Sequence, residues 1–194
     1  MERRRALVES ALRAIRAKGS GVTVEEIAAH AQTSKTVIYR YFGDRAGLYL
    51  GVVDRVSENI MRRVGPALEQ SHDLGAAIRA LADGYSQLVE RDPEIYQFVM
   101  HRPPSPLLSD ADPIDSITDR IAVELAGAIV ANHTVDPDHH VALTLAHGLV
   151  GYIRSATGYW MLTPAGSRPP RSRLVDIVTN GVGVLASDPV PVSI

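Results

Sequence analysis

Residues 34 to 40 carry a run of side chains that can hydrogen-bond to nucleic acid bases and phosphates. Lys35 and Arg40 can donate to guanine O6 and N7, and Thr36 can hydrogen-bond a base or place its methyl group against thymine. Tyr39 can donate its phenolic hydroxyl to a phosphate from a side chain with few rotatable bonds. This concentration of donors in one short segment predicts contact with DNA.

These side chains need two short helices that meet at a tight turn, and the surrounding sequence has that pattern. From Val24 to Ala31, apolar residues fall at i, i+3, i+4 and i+7, which is the spacing of one helix face. Thr23 and Glu26 have the spacing of a capping box, and Ser34 can cap the next helix in the same way. A helix-turn-helix needs such starts and a buried seam. The predicted helices of this region lie near 3–18, 24–31 and 35–41.

The motif residues also match a known family. They are Ile27-Ala28, the run from Ser34 to Tyr39, Tyr41-Phe42 and Arg45-x-x-Leu48. This pattern resembles the TetR family of transcriptional regulators over roughly residues 4–48, and beyond that the likeness lies in length and helical layout. The resemblance implies an N-terminal three-helix DNA-binding domain followed by a larger helical bundle for ligand binding and dimerisation.

The sequence departs from the family pattern at two positions. Gln32 stands where the family usually has glycine at the turn, and Arg45 replaces the usual lysine. A non-glycine residue in a left-handed turn costs roughly 1 kcal/mol, which a folded domain can absorb. Arg45 keeps the positive charge, so neither departure opposes the resemblance.

The motif and the resemblance together predict one set of DNA-contacting residues. The set is Thr23, Ser34, Lys35, Thr36, Val37, Tyr39, Arg40, Tyr41 and Arg45. Of the two tyrosines, Tyr39 is expected to reach phosphate, as the resemblance implies, and Tyr41 to be the more buried. The run Arg3-Arg4-Arg5 has two open interpretations, contact with phosphate or the minor groove, or a frayed and solvated terminus.

The charge distribution supports a basic DNA-binding head. The 194 residues carry a net charge of -2, but residues 1–45 hold nine Lys or Arg against five Asp or Glu, a net +4, which leaves -6 for the rest. The absence of cysteine excludes disulfides and thiolate zinc sites. No apolar run approaches the roughly 18 residues of a membrane span. The expectation is a cytoplasmic protein without membrane contact.

Proline and aspartate mark the predicted helix boundaries of the body. Asp92-Pro93, Asp112-Pro113 and Asp136-Pro137 each read as an N-cap followed by proline at the first helical position. Asp44 and Asp73 are further caps, and Gly65-Pro66 is expected to end a helix. The predicted body helices lie near 45–64, 74–91, 93–100, 113–133, 137–162 and 171–187.

Since the sequence contains no convincing strand, the predicted fold class is all-α with about nine helices. The predicted domains are a head at 1–45, a body at 46–187 and a tail at 188–194.

A homodimer is expected because heads of this kind bind operators as symmetric pairs. Small residues recur on one helix at positions 148, 151 and 155, which lets a partner helix approach closely, and a second apolar strip follows near the C-terminus. The predicted interface residues are Gly148, Gly151, Ser155, Leu174, Val178, Gly181, Val182 and Leu185. Packing within the chain, or room for a ligand, is the alternative use of these residues.

The large body is expected to bind an effector. Its central helices carry apolar faces that would enclose a small hydrophobic or amphipathic molecule with a few polar anchors. The candidate residues are Tyr85, Phe98, His101, Leu125, His147, Arg154 and Trp160, each with a purely structural role as the alternative. The proline-rich segment 101–112 is a candidate gate. Segments 92–98 and 151–160 are similar to family members linked to lipid metabolism.

Other functions find little support in the sequence. Ser86 lies in Gly84-Tyr-Ser-Gln-Leu88, which lacks the second glycine of a nucleophile elbow and sits in a helical pattern. His140 and His147 are separated by about 10 Å of helix rise, too far for one metal ion. No enzyme, metal or cofactor is therefore expected.

The sequence thus predicts a DNA-binding transcriptional regulator that binds a palindromic operator as a dimer and is released by an effector. Repression, rather than activation, follows from the resemblance alone. The alternative is a helical small-molecule-binding protein whose DNA head no longer functions, and the complete set of DNA-reading residues opposes it.

Overall fold

The computed structural model describes residues 2–71, 73–100, 113–132 and 138–187. Within these ranges every regular element is an α-helix, and there are nine, so the predicted all-α fold class is confirmed. The helices are α1 (Glu2–Lys18), α2 (Val24–His30), α3 (Lys35–Phe42), α4 (Arg45–Glu69), α5 (Leu74–Arg91), α6 (Pro93–Met100), α7 (Pro113–Asn132), α8 (His139–Leu162) and α9 (Arg171–Ser187). No described helix is both long enough and apolar enough to cross a bilayer.

Aspartates begin several helices, as the sequence predicted. The Asp44 carboxylate accepts from the Gly47 amide at 2.8 Å at the start of α4, and Asp73 accepts from Ala76 at 2.7 Å at the start of α5. These bonds satisfy amides that have no partner inside the helix. The predicted starts of α6 and α7 at prolines are also confirmed. Asp112 and Asp136-Pro137 lie outside the described residues.

Two predicted helix boundaries are wrong. Helix α4 does not end at Gly65-Pro66 but continues through Pro66 to Glu69. An internal proline costs about 3 kcal/mol, whereas Val64 and Leu68, which are 1% and 2% exposed, each gain about 1.5–3 kcal/mol from burial. Helix α8 begins at His139 rather than Pro137, because the Asp138 side chain accepts from the His140 amide at 3.0 Å.

The chain divides into two compact units. The head unit comprises residues 1–59 and 91–119, and the body unit comprises residues 60–90 and 120–194. The domain boundaries expected after residues 45 and 187 stay predictions. Helix α6 belongs to the head unit although it follows α5 in the chain.

The head unit is held by apolar faces of four helices and by α6. Helix α1 packs on both α2 and α6, and α2 packs on α3. The fully buried side chains of this core include Leu7, Leu12, Ile15, Ile27, Ile38, Leu48 and Tyr49. Tyr49 donates its hydroxyl to the Val99 carbonyl at 2.7 Å, and its ring lies 5.8 Å from that of Phe98. Arg16 donates to both carboxylate oxygens of Asp92, at 2.6 and 3.3 Å, which fixes the start of α6 against α1.

In the body unit, α8 packs on α9 and ion pairs tie α5 to α9. Arg171 pairs with Asp83 and Glu90, and Arg79 pairs with Asp176 at 3.0 Å. The buried residues of α8 recur at helical spacing along one face. The opposite face of this helix is exposed within the described residues.

The turn between α2 and α3 has the backbone geometry expected for a glycine. Gln32 has a φ of 50°, the only described non-glycine residue with a positive φ. The left-handed conformation costs a non-glycine residue about 1–2 kcal/mol, and glycine in turn loses about 0.5–1 kcal/mol of chain entropy on folding.

Gln32→Gly is therefore expected to raise the free energy of unfolding by about 0.5–1 kcal/mol, measured by urea denaturation. Gln97→Gly, an exposed glutamine inside α6, serves as the control and should lower it by about 1 kcal/mol. Equal losses in both variants would show that the turn carries no strain.

Candidate nucleic-acid interface

The two short helices of the head are started by side-chain caps. Thr23 Oγ1 accepts from the Glu26 amide at 3.2 Å, and Glu26 Oε2 accepts from the Thr23 amide at 3.0 Å, so the predicted capping box is present. Ser34 Oγ accepts from the Val37 amide at 3.3 Å at the start of α3. These caps fix the helix starts from which the predicted DNA-contacting side chains project.

One face of helix α3 packs against the head core, and the other face is exposed to solvent. Ile38 is 0% exposed and Phe42 is 8% exposed, which anchors the helix in the head core. Lys35, Thr36 and Arg40 project into solvent. A short helix with a buried face and an outward polar face is the geometry that enters a major groove.

The other predicted contact residues lie around the same helix. Thr23, Ser34, Tyr41 and Arg45 are exposed, and Val37 and Tyr39 are half-buried. All nine belong to the head unit. The expectation that Tyr41 is the more buried tyrosine is wrong, since its side chain is 37% exposed. Tyr41 lies at the edge of the buried face that Ile38 and Phe42 form, so its ring is partly open to solvent.

The side chain of Lys35 forms an ion pair with Glu25, a partner that the sequence pattern did not predict. Its Nζ donates to Glu25 Oε1 at 2.5 Å and lies 5.4 Å from the centroid of the Tyr39 ring. The hydrogen bond to Glu25 raises the pKa of Lys35, and the same bond lowers the pKa of the Glu25 carboxyl. Both groups are therefore charged at neutral pH. Helix periodicity placed Glu25 outside the α2 seam, but only the turn geometry shows which residue it meets.

Two further arginines of the interface stack on aromatic rings. The Arg40 guanidinium lies 5.5 Å from the centroid of the Tyr41 ring, and that of Arg4 lies 5.0 Å from the centroid of the Phe42 ring. Such contacts orient a guanidinium while leaving its donors available. Because α1 begins at Glu2, Arg3, Arg4 and Arg5 are helical rather than frayed, and all three are exposed, so contact with DNA and solvation both stay open.

The candidate effector residues are distributed over both units. Phe98 belongs to the head unit and packs on Tyr49. In the body unit, Leu125 is fully buried, and Trp160 Nε1 donates to the Pro169 carbonyl at 2.8 Å, which gives that indole a structural role. Tyr85 is half-buried and His147 is exposed. His101 lies outside the described residues.

Two polar atoms of α8 are buried without a hydrogen-bond partner. They are Arg154 Nε and Thr157 Oγ1, and they lie three residues apart on the same helix. Thr157 is 0% exposed. A buried donor without a partner costs free energy unless a ligand or water satisfies it.

The predicted dimer residues fall into two groups. Gly148 and Ser155 are exposed, and Gly151, Gly181 and Val182 are half-buried. Leu174 and Val178 are 7% and 1% exposed, so they are already used within the chain. The side chain of Leu185 lies outside the described part of the structure.

Ser86 does not have the surroundings of a nucleophile. It is 0% exposed and its hydroxyl donates to the Ala82 carbonyl at 2.6 Å within α5. His139, His140 and His147 are exposed on α8, and the described residues contain no group of three or more potential ligands arranged around a metal ion.

Comparison with known proteins places the head in one family. The model of "Bacterial regulatory proteins, tetR family" matches residues 7–52. An uncharacterised HTH-type transcriptional regulator of Mycobacterium tuberculosis is 31% identical over 183 residues, which is 92% of this chain and 75% of the relative. The HTH-type transcriptional activator FasR of Mycolicibacterium smegmatis is 26% identical over 138 residues, covering 71% of this chain and 62% of FasR.

Solved structures extend the likeness to the whole fold. A tetR-family transcriptional regulator from Streptomyces coelicolor superposes with a TM-score of 0.71 at 20% identity, covering 96% of this chain and 82% of the other. The transcriptional regulator FadR from Bacillus subtilis, solved in complex with stearoyl-CoA, gives a TM-score of 0.68 at 15% identity and covers 94% of this chain and 97% of its own. At these identities the match concerns the fold.

Proposed function

Since the chain belongs to the TetR family of transcriptional regulators, we propose that it binds a palindromic operator as a homodimer and that an apolar or amphipathic effector releases it. The observation that carries this proposal is the outward face of α3, where Lys35, Thr36 and Arg40 are exposed along a capped, anchored helix. Repression is the proposed effect on transcription. The alternative, activation, is what the name of the relative FasR states for that protein.

The head alone offers few base contacts, which is why the proposal includes a dimer. Two recognition helices about 34 Å apart meet successive major grooves on one side of the duplex, and a palindrome matches their two-fold symmetry. The basic head would attract phosphates, since residues 1–45 carry a net +4.

An exposed apolar stripe on α8 supports self-association. Its large apolar side chains are exposed to solvent. They are Val141 at 60%, Leu145 at 43%, Tyr152 at 38%, Tyr159 at 77% and Leu162 at 80% exposed. With Gly148 and Ser155 between them, these positions repeat at alternating steps of three and four residues, the spacing that packs one helix along another. We assign the surface to a second copy of this chain.

The body unit is proposed as the effector-binding part. The unpartnered Arg154 Nε and Thr157 Oγ1 would supply polar anchors in an otherwise apolar interior. Acyl thioesters of coenzyme A are the first ligands to test, because FadR of the same fold holds stearoyl-CoA. Their apolar chain and polar head suit such a lining. The cytoplasmic location expected from the sequence remains part of the proposal.

The test begins with selection from a library of random duplexes, followed by fluorescence anisotropy at about 0.15 M salt. The purified chain should enrich a palindrome and bind it roughly a thousandfold more tightly than a scrambled duplex. Long-chain acyl-CoA should then release the operator, while free coenzyme A serves as the control. A chain that enriches no motif would refute DNA-binding regulation. An operator bound equally with and without thioesters would remove this effector class.

A further inference from the structure

The carboxylate of Glu25 lies among basic side chains at the start of α3, the helix that we propose reads the DNA. Glu25 lies in the first turn of α2, and its Oε1 accepts from Lys35 Nζ at 2.5 Å. The charge of Arg45 also acts on this carboxyl. The side chains of Glu25 and Lys35 are 60% and 46% exposed, so neither is fixed by the core.

The ion pair between Glu25 and Lys35 contributes little to the stability of the fold. Exposed ion pairs contribute little because water screens the charges and two long side chains lose freedom. The position of the Glu25–Lys35 pair matters more for DNA binding than for stability. Because the two groups lie 2.5 Å apart, the Glu25 carboxylate is within reach of the base edge that Lys35 would approach.

A carboxylate next to a duplex is repelled by phosphates and finds few groups that can donate to it. In the major groove, the N4 amino group of cytosine is the donor that Glu and Asp accept from, while Lys pairs with guanine O6 and N7. Guanine O6 and cytosine N4 lie side by side on a G·C pair. An ammonium and a carboxylate already held 2.5 Å apart match that adjacent acceptor and donor.

We propose that Glu25 is a specificity-determining residue of the DNA interface. Its carboxylate accepts from a cytosine N4 at, or next to, the guanine that Lys35 contacts. Where no cytosine occupies that position, Glu25 lacks this donor, so it retains Lys35 and keeps that cation from the phosphates. This inference rests on the proposed operator binding and adds a base that the interface reads.

The consequence for binding is opposite on the two kinds of DNA. On the operator, the ammonium and the carboxylate remain neighbours and each gains a base as a second partner. On random duplex, the pair stays closed and the interface releases one counterion fewer than its positive charges allow. Glu25 therefore lowers the affinity for random duplex and raises the affinity for the operator.

The experiment compares Glu25→Gln with the wild-type chain, and Asp54→Asn is the control because Asp54 is an exposed carboxylate of the same head unit. Each protein is taken through selection from the same random-duplex library. Binding to the wild-type site and to a scrambled duplex is then measured against salt concentration.

For Glu25→Gln, the ratio of operator to random affinity should fall roughly ten- to a hundredfold. The logarithmic salt slope on random duplex should steepen by about one. The selected motif should lose its preference at one C·G pair in each half-site and keep the others. Asp54→Asn should leave the motif unchanged.

Identical motifs and affinity ratios for Glu25→Gln and wild type would overturn the assignment while leaving operator binding intact. An equal loss in Asp54→Asn would also overturn it, since total charge would then be the cause. A wild-type chain that enriches no motif would refute the proposed function itself, and this inference with it.

Discussion

Lys35→Ala is expected to bind the selected operator at least tenfold more weakly than the wild-type chain, with the fold and oligomeric state unchanged. A base contact by lysine carries about 1–3 kcal/mol of discrimination. The substitution also leaves the Glu25 carboxylate without the cation that it now accepts from at 2.5 Å. On a duplex that lacks the cytosine proposed for Glu25, the remaining negative charge would face the phosphates alone, so the affinity for random duplex should fall as well.

The double variant Lys35→Ala with Glu25→Gln separates these two contributions. It should bind scrambled duplex more tightly than Lys35→Ala alone, because the unpaired carboxylate is gone, and it should bind operator no more tightly, because the proposed cytosine contact of Glu25 is gone as well. Arg63→Ala removes an exposed positive charge of the body unit and serves as the control for net charge. Anisotropy titrations check the affinities, and circular dichroism checks the fold. Operator binding by Lys35→Ala at wild-type strength would exclude this residue from the interface.

The second large effect concerns the exposed stripe of α8. Placing arginine at both Leu145 and Tyr159 is expected to convert the dimer into monomers and to weaken operator binding by more than a hundredfold. Each arginine would bring a charge into a surface that a partner helix must bury, and a buried unpaired charge costs several kcal/mol. A monomer also contacts only one half-site.

Light scattering coupled to size exclusion measures the mass of each variant. Val123→Arg is the matched control, since Val123 is 56% exposed on α7 of the same unit but does not belong to the stripe. It should remain dimeric. If the double arginine variant remained dimeric as well, the interface between copies would have to be sought on another surface.

Local signals in the sequence predicted most of the helices correctly. Helix caps such as Thr23 and Asp44 act on amides within three residues, so their effect can be seen in a short segment. Pro66 shows the limit of this approach. Its local cost favours a helix end, and the burial of Val64 and Leu68 that outweighs the cost depends on the packing of the body unit.

The interface illustrates the same limit. The sequence predicted the outward face of α3 because Ile38 and Phe42 fall on the opposite face. It did not predict the partner of Lys35, because Glu25 is ten residues away on another helix and the contact depends on the left-handed turn at Gln32. The nine DNA-contacting residues and the effector set stay predictions until binding is measured.

The contacts between α6 and the rest of the head unit determine which fragments of this protein can be transferred to another protein. The Tyr49 hydroxyl and the Arg16 guanidinium take their partners from Val99 and Asp92, which lie far along the chain. A fragment that ends after the fourth helix would leave these donors without partners and would uncover the part of α1 that packs on α6. Transplanting this DNA specificity onto another regulator therefore requires carrying residues 91–100 along with the first 59, as one inherited unit.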